Sequence, residues 1–291
     1  MTKLSSIKSI LEEKKKLFSV EFFPPKDEEG GQRMLETASL IQPHRPDFVS
    51  ITYGAGGGTR TTTMRYAKIL REEHGFEVMP HLTCVGHTRD ELLEILEDFA
   101  QAGFGNVMAL RGDPPKGETK FQTVPGGLSY GSDLVSLIRE NFPDFGIGVG
   151  GYPEKHPEAP NKQIDLANLK TKVEAGADFI TTQLFFDNQV YFDFVKQCEA
   201  AGMTIPILPG LLPVLSLGQV RRFCTMCEAR LPTRLEKSLE AAEQEKQPAV
   251  GTQWAGEQVQ GLLKGGSPGF HLYALNKSAS TLAILEGIGR K

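Results

Sequence analysis

The chain has 291 residues, 40% hydrophobic and 23% charged, with a formal net charge of -4. That composition supports a sizeable core and excludes a disordered chain; the absence of a basic excess, with Lys14-Lys15-Lys16 the longest basic run, argues against nucleic-acid binding. No apolar stretch approaches the roughly 20 residues that span a bilayer, and the N-terminus lacks the apolar core of a secretory signal, so a cytoplasmic protein with no membrane partner is expected.

The first strand is expected over residues 17–23, where Val20, Phe22 and Phe23 favour a strand and Pro24-Pro25 cannot continue a ladder. Glu21 is a lone carboxylate in that apolar segment, near the strand's C-terminal end, and its burial is costly unless the acid has a task. A second strand over 47–52 runs into Thr52-Tyr53-Gly54-Ala55-Gly56-Gly57-Gly58-Thr59-Arg60. Such a glycine run lets backbone amides approach an anion or a flat ring, yet it fits neither GxxxxGK[ST] nor a GxGxxG opening a βαβ unit. After a helix over 59–74, the third strand (78–84) ends in Pro80-His81-Leu82-Thr83-Cys84, with His81 and Thr83 on one face. A lone strand histidine is more often structural than a ligand. A helix over 88–102 precedes the fourth strand (106–111), which ends in Arg111-Gly112-Asp113-Pro114-Pro115. A salt-bridged rim and a ligand-facing carboxylate are both open readings of that charged pair, and the strand-end position favours the second.

A helix over 132–141 leads to the fifth strand (146–151) and a proline-stiffened loop to Pro160, which presents Tyr152 and His156 with little freedom to lose on binding. A helix over 163–175 precedes the sixth strand (178–184), ending in Thr181-Thr182-Gln183-Leu184-Phe185-Phe186-Asp187. An amide beside paired aromatics suits a flat heterocycle that needs stacking and edge hydrogen bonds. A helix over 189–201, a strand over 205–210 and a helix over 216–229 follow. The long stretch 231–268 reads as extra helix on the exterior, broken at 247–251, before the last strand (269–274). Gly103, Gly176 and Gly202, each after an alanine, read as helix C-caps. Four cysteines, Cys84, Cys198, Cys224 and Cys227, make no disulfide framework. Cys224-Thr-Met-Cys227 lacks partner ligands and reads as a helix face.

Eight strand–helix units in one run favour a single (β/α)8 TIM barrel of the α/β class over residues 1–291, with the extra helical segment before the last strand. Active sites of such barrels lie at the C-terminal ends of the strands. No HExxH, no closely spaced ligand cluster and no GxSxG elbow is present, so no metal is called. The residues alone support a barrel enzyme acting on flat, hydrogen-bonding groups.

Phe18-Ser-Val-Glu-Phe-Phe-Pro-Pro25, Val49-Ser-Ile-Thr-Tyr-Gly-Ala55, Pro80-His-Leu-Thr-Cys84, Ala109-Leu-Arg-Gly-Asp113 and Tyr152-Pro-Glu-Lys-His-Pro-Glu158, followed by Thr182-Gln-Leu-Phe-Phe-Asp187, Pro209-Gly-Leu-Leu-Pro213 and His271-Leu-Tyr-Ala-Leu-Asn276, together resemble the methylenetetrahydrofolate reductase family across nearly the whole chain. The resemblance implies an FAD-containing barrel that reduces 5,10-methylenetetrahydrofolate to 5-methyltetrahydrofolate with NADH or NADPH, feeding methionine synthesis. The two substrates occupy one flavin face in turn. It further implies a homo-oligomer and a catalytic barrel alone, without the regulatory domain of eukaryotic relatives.

By the same resemblance the catalytic residues are Glu21, the proton donor, and Asp113, near the flavin pyrimidine and the pterin. Gln183, Gln219, Phe223 and Lys277 join them as substrate-binding positions. The flavin positions are Thr52, Tyr53, Ala55, His81, Arg111, Gly112, Asp113, Gly131, Tyr152, His156, Asp165, Asn168 and Lys172. Desolvation is expected to raise the Glu21 pKa above its unperturbed value of about 4.3. Thr171-Lys172 replaces two adjacent basic residues of bacterial relatives, Lys277 replaces an arginine that would offer a planar fork, and the loop over 114–128 is longer. The competing reading is a metal-dependent barrel lyase or aldolase with His81, Asp113, His156 and His271 on one ion; a barrel that only binds folate or flavin is a third.

Overall fold

The structure is a computed structural model that describes residues 6–14, 16–54, 60–114, 117 and 121–290. Among these residues nine strands are present: β1 (Leu17–Phe22), β2 (Phe48–Ile51), β3 (Val78–Thr83), β4 (Asn106–Leu110), β5 (Gly146–Gly151), β6 (Phe179–Thr182), β7 (Ile207–Leu208), β8 (Gly210–Leu211) and β9 (Gly269–Tyr273). Around them lie α1 (Ile7–Glu13), α2 (Glu28–Ile41), α3 (Arg60–Glu72), α4 (Arg89–Gln101), α5 (Gly131–Asn141), α6 (Lys162–Glu174), α7 (Asn188–Ala200), α8 (Leu217–Cys227), α9 (Thr233–Ala241), α10 (Gln247–Lys264) and α11 (Ser278–Gly287). All strand pairs are parallel, in the order β7-β6-β5-β4-β3-β2-β1-β9-β8. This is the α/β TIM-barrel architecture.

The seventh stave departs from the single strand expected over 205–210. Pro209 has no N–H to give, and it divides the stave into β7, paired with β6, and β8, paired with β9. Hydrogen bonds carry closure across the break: His271 N–H donates to the Pro209 carbonyl (2.9 Å), Gly210 N–H to Thr182 Oγ1 (2.9 Å) and Tyr273 O–H to the Thr182 carbonyl (2.6 Å). A Cβ at residue 210 would sit 2.2 Å from that carbonyl, so the approach requires glycine.

Strand alternation sorts the interior into layers. Leu17, Phe48, Met79, Met108, Phe179 and Leu208 form an apolar floor, and Ile7 of α1 packs against it. Above the floor, buried polar side chains appear: Ser19, Ser50, Thr181 and His271. Phe18, Val20 and Phe22 alternate with these and join the main core between barrel and helices.

The helices start where capping chemistry directs them. Asp27, Thr88 and Asn161 each accept from a first-turn backbone N–H, and Thr88 with Glu91 completes a capping box. Gly103, Gly176 and Gly202 take the left-handed backbone expected of C-caps. The extra segment forms α9 and α10, but its break falls at 242–246. Gln247-Pro248 opens α10 because proline is tolerated in a helix's first turn, where its missing N–H has no intrahelical role. Cys224 and Cys227 lie on α8, half-buried, as a helix face.

Ile7→Ala should destabilise the protein by about 3 kcal/mol, through lost burial and a residual cavity in the floor. Urea unfolding checks the loss, and ligand binding at the opposite end of the barrel should be unchanged.

Candidate active site

A cavity of about 480 Å³ opens at the C-terminal ends of the strands. It brings together Glu21, Thr52, Tyr53, His81, Arg111, Gly112, Asp113, Gly131, Tyr152, His156, Lys172, Gln183 and Phe223 of the sequence-expected positions. Asp165 stands behind this lining, where its carboxylate accepts the His156 backbone N–H (3.0 Å). Asn168 and Lys277 are exposed on α6 and before α11, and Gln219 Oε1 accepts the Leu215 N–H at the start of α8 (2.8 Å); none of these three lines the cavity. Ala55 lies outside the described residues, as do residues 115, 116 and 118–120 of the longer loop.

Glu21, 6% exposed, is the penultimate residue of β1. Ser50 Oγ donates to its Oε2 (3.3 Å), and His271 Nε2 lies 3.4 Å from the same oxygen. His81 Nε2 is 3.3 Å from it but off the line of a hydrogen bond, and is left without a hydrogen-bond partner. Beneath, Ser19 Oγ and His271 Nδ1 are 2.7 Å apart, which extends a polar column from Glu21 down to the floor. Burial pulls the Glu21 pKa up, but the field of His81, the hydrogen bond of His271 and its field outweigh this and hold the carboxyl down at about 2. The expected upward shift is therefore reversed: the apolar neighbours were legible in the sequence, and the two imidazoles from β3 and β9 were not.

The β4–β5–α6 side of the cavity is cationic. Arg111 makes a two-pronged pair with Glu158 (2.6 and 2.7 Å), donates from Nε to the Gly112 carbonyl (3.2 Å) and lies over the Phe121 ring. Its pKa is raised first by the Glu158 hydrogen bonds. Gly112, at φ 88°, turns this chain between Val85 and Thr83, where a Cβ would come within 2.6 Å of Val85. His156 Nδ1 accepts the Glu158 N–H (3.1 Å), so the neutral ring carries its proton on Nε2, and burial lowers its pKa. The half-buried Lys172 donates to the Gly150 carbonyl (2.5 Å), and burial holds its pKa down at about 8 against the pull of Asp165.

The opposite side is apolar, lined by Leu184, Leu212, Met226, Cys227, Tyr273 and Leu275 with Phe223. The residue reading missed these because most come from a helix and loops whose docking only the tertiary fold fixes. Thr181 is different, since alternation with Phe179 and Gln183 places it inward. Its hydroxyl and that of Thr83 have no protein hydrogen-bond partner. Along β5 the inward positions above the floor are glycines, and a Cβ at Gly150 would meet nothing nearer than Leu110 at 3.7 Å. That bare wall leaves room for a flat group between the cationic and apolar sides.

The four residues of the metal reading do not converge. His81 and His271 face the Glu21 carboxylate, His156 is engaged by the Glu158 N–H and Asp113 is exposed on the rim. Among the described residues no three of His, Cys, Asp and Glu are arranged to hold a metal ion. Nor is any helix among them long and apolar enough to cross a membrane.

A buried carboxylate at the C-terminal mouth of an α/β barrel, under a cavity with one cationic and one apolar side, defines a barrel-enzyme site. The family described as methylenetetrahydrofolate reductase matches residues 6–289, and the chain belongs to that family. The 5,10-methylenetetrahydrofolate reductase of Escherichia coli (strain K12) is 39% identical over 273 residues, 93% of this chain and 90% of that one. Methylenetetrahydrofolate reductase (NADH) 1 of Arabidopsis thaliana is 38% identical over 301 residues, 99% of this chain. The chain spans about half (51%) of that plant relative's length. Among solved structures, an uncharacterized protein from Clostridium thermocellum that binds two copies of 5-methyl-5,6,7,8-tetrahydrofolic acid superposes with a TM-score of 0.64 at 16% identity, covering 97% of this chain and 98% of that one. Oxaloacetate acetylhydrolase in complex with 3,3-difluorooxalacetate gives 0.55 at 10% identity, covering 99% and 86%. At these identities the likeness is one of fold.

Affinity for an anion such as inorganic pyrophosphate should fall as pH rises past about 8, where Lys172 loses its charge, by up to about tenfold per pH unit. Calorimetric titration across pH 7 to 10 checks this, and Lys172→Met should flatten the dependence.

Proposed function

We propose that this protein reduces 5,10-methylenetetrahydrofolate to 5-methyltetrahydrofolate with NADH or NADPH, using FAD held in the barrel mouth. The observation that carries the reading is Glu21, buried against two histidines beneath the cavity, in a chain of this family. The plant relative's name supports NADH as a donor.

The residues present fit a flavin. The glycine wall of β5 admits a flat ring, the unpartnered hydroxyl of Thr181 lies in the cavity lining, and Arg111, Lys172 and the Nε2–H of His156 suit a pyrophosphate. Bound there, FAD supplies a two-electron carrier that accepts hydride from the nicotinamide and returns it to the folate.

This chain's own groups do the rest. Asp113 on the rim accepts hydrogen bonds from the pterin N–H groups, and the Gln183 amide supplies donor and acceptor to folate or nicotinamide in turn. Phe223, Leu212 and Leu275 cover the apolar side and exclude water. Glu21 delivers a proton to the folate nitrogen as the methylene bridge opens to an iminium. For this role Glu21 must be the acid, so binding has to offset the fields of His81 and His271 that hold it ionised in the ligand-free chain. His271 and Ser19 stand behind it and orient the carboxylate, while the proton it gives up is replaced from solvent through the cavity.

Glu21→Gln should leave flavin reduction by NADH near wild type and slow reoxidation by methylenetetrahydrofolate by about 10²–10⁴-fold, the usual worth of a positioned general acid. Anaerobic stopped-flow absorbance separates the two half-reactions, and equal loss in both would falsify the role.

A further inference from the structure

We infer that Asn276 is a positioning residue for the Glu21 end of β1, an inference that rests on the reductase reading above. The backbone register between β1 and β9 ends at Glu21 opposite Tyr273. Past that point the side chain of Asn276 takes over: Phe23 N–H donates to its Oδ1 (2.9 Å), and its Nδ2 donates to the Phe23 carbonyl (2.8 Å). The amide thus imitates a strand's paired donor and acceptor where β9 has already turned away. Pro24 and Pro25 follow and have no N–H, so the chain beyond Phe23 offers no further ladder donor.

The clasp is held in an uncommon backbone. Leu275 and Asn276 have φ of 50° and 55°, two consecutive left-handed residues of which neither is glycine. Such conformations persist where surroundings over-determine them, and they cluster at functional sites. Here the surroundings are Phe23 on one side and Thr37 of α2 on the other, whose hydroxyl donates to the Asn276 carbonyl (3.2 Å). The left-handed turn sets Leu275 into the cavity lining, and the amide pair fixes Phe23 in the same lining, beside Glu21. Asn276 therefore sets the apolar walls that determine how dry the Glu21 carboxylate is and where it points.

Asn276→Gly separates this role from a purely conformational one, because glycine adopts the left-handed backbone without cost and lacks the amide. The variant should fold and its flavin should be reduced by NADH at close to the wild-type rate. Reoxidation by methylenetetrahydrofolate should slow by about tenfold to a hundredfold, as expected for a displaced reacting group. Amide hydrogen exchange on the ligand-free protein gives a second readout: protection at Glu21 and Phe22, not only Phe23, should drop in the variant. Wild-type reoxidation with unchanged exchange at Glu21 and Phe22, or equal slowing of both half-reactions, overturns the inference. A wild-type protein that binds no flavin would instead overturn the reductase reading, and the exchange data would still decide the role of Asn276.

Discussion

The structure is organised around one constraint, a carboxylate taken out of water inside a barrel. An isolated buried charge costs several kcal/mol even after relaxation, and Glu21 is buried on all sides except the cavity. Its relief comes from three strands: Ser50 on β2, His81 on β3 and His271 on β9 all approach the same oxygen, Oε2. Those partners need company in turn, and His271 finds it in Ser19 and in the ring of Phe48 stacked alongside. The middle of the barrel is consequently polar where barrels of this architecture are usually filled with branched apolar side chains. Cohesion is displaced to the floor, closed by α1, and to the shell between strands and helices.

The same constraint explains why the cavity lies where it does. Filling the mouth with large side chains would seal Glu21 from any reactant, and β5 prevents that by turning glycines inward. The seam at Pro209 has a related consequence. Because β7 and β8 are each two residues long, the sheet there is held by Thr182 and Tyr273 as much as by backbone pairing. Tyr273 is thus both a seam hydrogen bond and a cavity wall next to Glu21, and burial with the Glu21 charge nearby drives its phenol pKa well upward. That shift favours the neutral phenol, the form that donates to the Thr182 carbonyl.

Most of the fold was legible because its elements announce themselves locally, as apolar runs of strand length, amphipathic helices, and Ala-Gly pairs that end three of them, whereas α1, α2 and α11 were not among the expected helices. Glu21 was legible for the same local reason, as an acid out of place in an apolar strand. Its ionisation was misread, because the deciding groups, His81 and His271, are 60 and 250 positions away in sequence and meet it only when β3 packs across β2 and β9 closes against β1. Lys277, Asn168 and Gln219 were placed by motif position; the structure leaves the first two exposed, has Gln219 accept the Leu215 N–H, and puts none of the three in the cavity lining. The broken stave was written in Pro209, but an apolar run with one internal proline reads as a strand end as readily as a split strand.

The two halves of the mouth are joined outside the cavity by a backbone-to-carboxylate hydrogen bond and an ion pair. Glu154 accepts the Arg230 backbone N–H through both oxygens (2.9 Å each), and Lys155 pairs with Glu228 (3.0 Å) at the left-handed end of α8. The loop that carries Tyr152 and His156 on the cationic side is thereby tied to the helix that carries Phe223 and Cys227 on the apolar side. An exposed ion pair contributes little stability, about 0–1 kcal/mol, so the worth of these two contacts is geometric. They fix the width of the cavity between a wall suited to anions and a wall suited to flat apolar faces.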